Sequence, residues 1–220
     1  MGKEILNENQ LLFLDTIKKE KRICEKFYLT GGTALAAFYF NHRYSEDLDF
    51  FSETEVDKLA IETFLKTIKG RLAIEKTDYQ ESFNRNIVFL FLKSKEILKT
   101  EFTYFPFPRI EKGIQEGHLQ VDSIFDIAVN KLFTIYQNPR SRDFIDLYLI
   151  LREKNFEFSD LIKKARIKFD WHIDLLKLGT QFKKSEELTD WPVMLKKIEP
   201  KEWREFFAKE AGKLAKEIFE

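Results

Sequence analysis

An α+β fold, a mixed sheet with flanking helices followed by a C-terminal helical bundle, is predicted by three observations on this chain. Short β-rich runs cluster in its first half, turn residues concentrate in PFPRIEKGIQEG, and the periodic segments beyond that stretch have helical spacing. The expected division is an α/β domain over residues 1–115 and a helical domain over residues 116–220. At 220 residues the chain suits one large domain or two small, closely packed ones. Its 44% apolar content, with 23 Phe, supplies material for a core.

Taken in order, residues 7–26 place Leu11, Leu14, Ile17 and Lys18 at helical spacing and predict an amphipathic helix. A short strand over 27–30 runs into Gly31-Gly32, and the Ala-rich, nearly all-apolar stretch 33–40 suits a buried helix. Residues 47–52 read as a strand, and 56–68 as a helix with Leu59, Phe64 and Ile68 inward. Three β-rich stretches follow at 72–79, 86–92 and 97–105, the last two joined around Lys93-Ser94-Lys95 as an antiparallel hairpin. Helices are expected at 123–136, 142–152, 159–169, 172–178 and 200–218. The last, with Trp203, Phe206, Phe207 and Leu214, is an amphipathic packing helix or a partner surface.

The charges balance, 37 basic against 37 acidic, which removes the general excess of Lys and Arg on which non-specific nucleic-acid binding rests. A local excess remains between Lys154 and Lys184, eight basic residues to four acidic. One cysteine, Cys24, excludes an intramolecular disulfide and suits a reducing compartment. The opening MGKEILNENQ lacks the apolar stretch of a secretory signal, and no apolar run approaches the roughly 20 residues needed to span a bilayer. A cytoplasmic protein without membrane partners is therefore expected. His42, His118 and His172 show no zinc-ligand spacing.

The chemistry concentrates in LTGGTALAAFYFNHRYSEDLDFFSE, residues 29–53. Two glycines between a strand and a helix permit close backbone approach and leave N–H groups at a helix start, where phosphate oxygens bind. Asp47 and Asp49 alternate on a strand, so both carboxylates face one side while Leu48 and Phe50 face the other. Paired carboxylates repel unless a cation neutralises them, and Mg²⁺ is the natural oxygen-seeking partner. Glu101, in the later strand segment ILKTEFTYF, is the candidate third acid for a metal clamp. In the helical half Lys131 falls among Ile124, Ile127, Ala128 and Ile135, where a buried ammonium calls for an anion such as a triphosphate.

These residues resemble the nucleotidyltransferase superfamily, and more closely the AbiEii/AbiGii toxin family. The resemblance is carried by GGTALA (31–36), RYSEDLDFF (43–51), LKTEFTYFPF (98–107), DIAVNKLFTIY (126–136) and RDFIDLYLIL (142–151). It implies a nucleotidyltransferase-fold sheet and a toxin of a toxin–antitoxin or phage-defence pair. The implied reaction moves a nucleoside monophosphate from an NTP to RNA, such as transfer RNA, or to protein, with pyrophosphate released. The resemblance further implies Mg²⁺ or Mn²⁺ on Asp47, Asp49 and Glu101, phosphate contacts from Gly31, Gly32 and Thr33, and a cognate antitoxin. Lys131 and Asp146 match residues for which the family suggests nucleotide binding or acceptor activation. The family often has Gly-Ser where this chain has Gly31-Gly32, a hydroxyl that Thr33 could supply.

Each residue has a plainer reading beside that one. Arg43 and Ser45 precede the acids closely enough to touch phosphate or order the loop, but Arg43 could equally pair with Glu46 at the surface. Glu101 could pair with Lys99 or Arg85, Lys131 could extend its head to solvent, and Asp146 could bridge to Arg142 one turn away. Asp143 is accounted for by the helix dipole alone. A small-molecule acceptor of the antibiotic kind and an inactive nucleotide- or partner-binding module are the alternative functions, since fold does not fix the acceptor.

Overall fold

The computed structural model describes residues 5–219; residues 1–4 and 220 lie outside the described part. The chain divides into two compact units, Met1–Ser123 and Ile124–Glu220. The first unit contains α1 (Glu8–Ile17), α2 (Lys21–Cys24), β1 (Tyr28–Thr30), α3 (Gly31–Leu35) continued by a π-helical turn Ala36–Phe40, β2 (Leu48–Ser52) and α4 (Lys58–Ile68). It continues with β3 (Ile74–Ser82), β4 (Arg85–Leu92), β5 (Ile97–Tyr104), β6 (Gln115–Glu116) and β7 (Leu119–Val121).

The seven strands form one sheet in the order β3-β4-β5-β2-β1-β7-β6. β2–β5 and β1–β7 run parallel and the remaining pairs antiparallel, so the sheet is mixed as expected. Alternation along the strands separates two faces. Leu29, Leu48, Phe50, Val88, Leu90, Leu98 and Phe102 are buried on one of them. There Phe50 stacks on Phe102 at 5.2 Å between ring centroids, and Phe13 of α1 lies 5.9 Å from both Phe50 and Phe64 of α4. α1 and α4 thus cover the apolar face. The opposite face carries the acids.

Several elements depart from the sequence expectation for local reasons. The helix expected over 7–26 breaks into α1 and α2 because Glu20 leaves helical dihedrals, at φ −92° and ψ 83°. α4 is entered through Asp57, whose carboxylate accepts the Ala60 N–H at 3.1 Å. Ile61, Phe64, Leu65 and Ile68 share the inward face, while Leu59, roughly opposite them at about 100° per residue, is 69% exposed rather than buried. The hairpin at Lys93–Lys95 forms as expected, with Lys95 at φ 67°. The β6–β7 hairpin was not foreseen, and the expected break at residue 115 falls inside β6. Strands of two and three residues are too short for a period to register. β7 nevertheless pairs with β1 through Leu29 and Val121, which ties this segment to the sheet.

Cys24 is buried, and its Sγ donates to the Ile17 carbonyl at 3.0 Å. Burial, with Glu20 adding, pushes the thiol up to about 12. Only the thiolate is nucleophilic, so iodoacetamide at pH 8 should leave the native protein unlabelled and modify one site per chain after denaturation. Mass spectrometry of the two samples reads this directly.

The second unit is helical: α5 (Ile124–Gln137), α6 (Ser141–Lys154), α7 (Phe158–Phe169), α8 (Leu175–Lys183) and α9 (Pro200–Phe219). Its core gathers Phe144 of α6, Phe182 of α8, and Trp203 and Phe207 of α9, all fully buried. Phe144 and Phe207 meet edge to face at 4.7 Å. α8 starts later than the expected 172 because Asp174 caps it, accepting the Lys177 N–H at 2.9 Å, and it runs on past 178 to Lys183. Lys168, one of the eight basic residues counted in this region, is buried in an ion pair with Asp126 at 2.7 Å, so it adds nothing to a basic surface.

Candidate active site

Asp49 on β2 stands directly beside Glu101 on β5 in the parallel register, and Thr30 of β1 stands on the other side of Asp49. Residues paired across strands share a face and lie ~4.8 Å apart. Asp47, immediately before β2, continues the row two residues away, and its Oδ2 accepts from Lys99 Nζ at 2.9 Å. Glu101 is 5% exposed, and Arg85 grips both of its oxygens: Nε donates to Oε1 at 2.6 Å and Nη2 to Oε2 at 2.5 Å. Thr103 Oγ1 adds a bond to Oε1 at 2.8 Å. Burial is the largest single influence on the Glu101 carboxyl and pushes its pKa up. Arg85, Thr103 and Lys99 together outweigh it and hold the group below the usual carboxylate range. Arg85 is in turn held in its charged form more firmly, first by Glu101, with Asp49 and Asp47 contributing through space.

Among the described residues no group of three or more His, Cys, Asp or Glu side chains is gathered closely enough to hold a metal ion. The donor chemistry of the acid row nevertheless fits a hard divalent cation. Mg²⁺ is commonly held by one or two carboxylates completed by substrate phosphates and water, which asks less of the protein than a closed cage. The neighbouring Asp49 and Glu101 provide such a pair.

The glycine turn packs against this row. Gly31 sits at φ 74°, and a Cβ there would lie 2.8 Å from Asp49 Oδ2. A Cβ on Gly32 would lie 2.1 Å from Arg43 Nη2. The two glycines therefore make room for a carboxylate and a guanidinium. Arg43 is 3% exposed, which rules out the surface placement, and its Nη1 donates to the Tyr44 carbonyl at 3.0 Å. Thr33 is fully buried, and its hydroxyl donates to the Asp47 carbonyl and lies 2.7 Å from Ser45 Oγ, a second hydroxyl within hydrogen-bond distance. Thr33 and Ser45 are thus engaged in shaping the segment that delivers the acids.

In the second unit, Lys131 of α5 lies with its Nζ 2.6 Å from Asp143 Oδ1 and 2.8 Å from Asp146 Oδ2, both on α6. The three side chains are 11%, 2% and 0% exposed. Arg140 Nε reaches Asp143 Oδ2 at 3.1 Å. Asp146 is paired with Lys131 here, in place of the bridge to Arg142, and the Lys131 head is enclosed.

Two supports of the site went unread in the sequence. Gln10 of α1 is 3% exposed, and its Nε2 donates to the carbonyls of Ser45 and Glu46, each at 2.9 Å. Its Oε1 closes a capping box with Asn7, so the Asn-x-x-Gln spacing was the available signal. Thr103 shares the face of Glu101 by simple alternation on β5.

The mixed sheet, the glycine turn and the paired strand acids define a nucleotidyltransferase-type domain. The family described as nucleotidyl transferase AbiEii toxin, type IV TA system, matches residues 14–217, and the chain belongs to it. An uncharacterised protein of Aquifex aeolicus (strain VF5) is 30% identical over 171 residues, covering 70% of this chain and 76% of that protein. Among solved structures, a candidate nucleotidyltransferase from H. pylori superimposes with a TM-score of 0.60 at 20% identity, over 96% of this chain and 97% of that one. MenT4, a nucleotidyltransferase toxin from Mycobacterium tuberculosis H37Rv, gives 0.56 at 15% identity, over 94% of this chain and 84% of that one. At these identities the structural likeness establishes the fold. No helix among the described residues is long and apolar enough to cross a membrane.

Proposed function

We propose that the protein transfers a nucleoside monophosphate from an NTP to a macromolecular acceptor, RNA such as transfer RNA or protein, as the toxin of a toxin–antitoxin pair. The observation that carries the reading is the in-register pair Asp49 and Glu101 beside a glycine turn. Family membership supports the toxin role and an antitoxin partner.

Asp49 and Glu101, with Asp47 at the end of the row, would hold Mg²⁺ or Mn²⁺. When bound, the ion supplies charge neutralisation at the phosphate oxygens. Glu101, held below the usual carboxylate range, stays ionised and suits a ligand's role better than a base's. The Gly31-Gly32 turn opens α3, a helix start where phosphate oxygens bind, and Arg43 behind Gly32 adds positive charge. An acceptor hydroxyl oxygen bonds to the α-phosphorus, the bond from that phosphorus to its bridging oxygen breaks, and pyrophosphate leaves. The hydroxyl proton passes to a carboxylate of the row. Positioning and fixed charge supply most of the rate in such a transfer. Lys131 and Asp146 are occupied with each other in the second unit and are assigned no step here.

Incubation of the protein and Mg²⁺ with each NTP radiolabelled at the α-phosphate, in total RNA and protein extract, tests the reading. Label on a macromolecule names the nucleotide and the acceptor class. Labelling absent with all four nucleotides overturns macromolecular transfer and turns attention to a small-molecule acceptor or a binding module.

A further inference from the structure

The acid row carries cations of its own. Arg85 bridges both oxygens of Glu101, and Lys99 bonds Asp47. The members of the first pair are rooted differently. The Glu101 side chain is 7% exposed on a strand paired on both sides, whereas the Arg85 side chain is 54% exposed. Lys99 and Asp47 are each 29% exposed. Arg85 stands opposite Thr103, one alternation along from Glu101, and reaches the acid sideways across the open face. A pair serving stability alone gains little from a guanidinium so wet, since an exposed partner is screened and costs side-chain entropy to hold. A guanidinium fork also fits phosphate as well as it fits carboxylate.

We propose that Arg85 and Lys99 are exchangeable counter-ions: they neutralise Glu101 and Asp47 before a divalent cation binds, and turn onto the triphosphate once the cation takes their place. The inference rests on the metal and NTP reading of this site. The cation must displace Arg85 from Glu101, so metal bound without nucleotide is held weakly. The displaced guanidinium and ammonium then gain phosphate oxygens as partners, so each ligand strengthens the other by the same factor. Arg85 and Lys99 are in this sense ligands of the phosphate chain that the acid row keeps in waiting until a cation binds.

Two binding measurements test this without any reliance on turnover. Mn²⁺ affinity is read from the free-ion electron paramagnetic resonance signal in the absence of nucleotide. Inorganic tripolyphosphate affinity is read by calorimetry in excess Mg²⁺, a probe indifferent to the base. Arg85→Gln should bind Mn²⁺ about 10-fold more tightly than wild type and tripolyphosphate ~10–100-fold more weakly, the range for a charged hydrogen bond. Lys99→Met should shift both in the same directions by less, and Arg85→Lys should fall between Arg85→Gln and wild type for tripolyphosphate. Thermal melts confirm that the variants are folded, and Lys99→Met carries the same opposed signature should Arg85→Gln prove unstable. Weakening of both ligands together, or no change in either, overturns the exchange and leaves Arg85 a positioning partner of Glu101. Failure of both wild type and Arg85→Gln to bind Mn²⁺ overturns the metal reading itself. Mn²⁺ binding that is lost in Asp49→Asn upholds that reading whichever way Arg85→Gln falls.

Discussion

Replacing Lys131 by Met is expected to destabilise the second unit by ~3–5 kcal/mol, seen as a lower denaturant midpoint with an unchanged slope. Lys131 bonds Asp143 and Asp146, whose side chains are 2% and 0% exposed, so its loss removes the ammonium that both buried carboxylates share, with Arg140 still bonded to Asp143. Two buried like charges cost far more than an apolar side chain in the same place. Met fills much of the volume of the lysine stem, which confines the effect to charge. Adding Asp143→Asn and Asp146→Asn to Lys131→Met should recover a substantial part of the loss, because the residues form one network. A Lys131→Met protein as stable as wild type would mean that the enclosed pairs contribute little to this unit.

Asp49→Asn is expected to lower the labelling rate by on the order of 10³-fold at saturating nucleotide, with stability within about 1 kcal/mol of wild type. The substitution keeps shape and removes the charge that stands beside Glu101 in the row. The amide also fits against Gly31, where the approach of Asp49 Oδ2 already demands glycine. Labelling within tenfold of wild type would remove Asp49 from the chemistry and with it the carrying observation of the proposed function. The ratio of loss in rate to loss in stability separates this variant from Lys131→Met, which should act the other way round.

What the sequence disclosed followed from spacing. The alternation of Leu48 and Phe50 with Asp47 and Asp49 needs no partner strand to be read, because one face must meet the core. The same rule reached Glu101 on β5 from its apolar neighbours Leu98 and Phe102. It could not show that β2 and β5 run side by side, since register between strands separated by a helix and a hairpin is a tertiary property. The bidentate grip of Arg85 was legible only as one alternative among two, because Lys99 and Arg85 are equally near in charge pattern. Leu59 was misplaced because its spacing from Phe64 and Ile68 puts it on the far side of the helix from them. Gln10 showed only the spacing of a helix cap, because the cap and the brace for a distant loop use the same side chain.

The strand order also governs when the site comes into being during synthesis. Asp49 lies on a strand whose parallel neighbour, β5, leaves the ribosome only after α4, β3 and β4, and β1 must wait longer still for β7. Pairings of such sequence separation close late, since the intervening chain loses its freedom before the contact repays it. A nascent chain ending before Ile97 has the glycine turn and the first acids but no Glu101 to set beside them. Completion of the acid row is therefore tied to completion of the sheet, and a partly made chain carries pieces of the fold without the finished row.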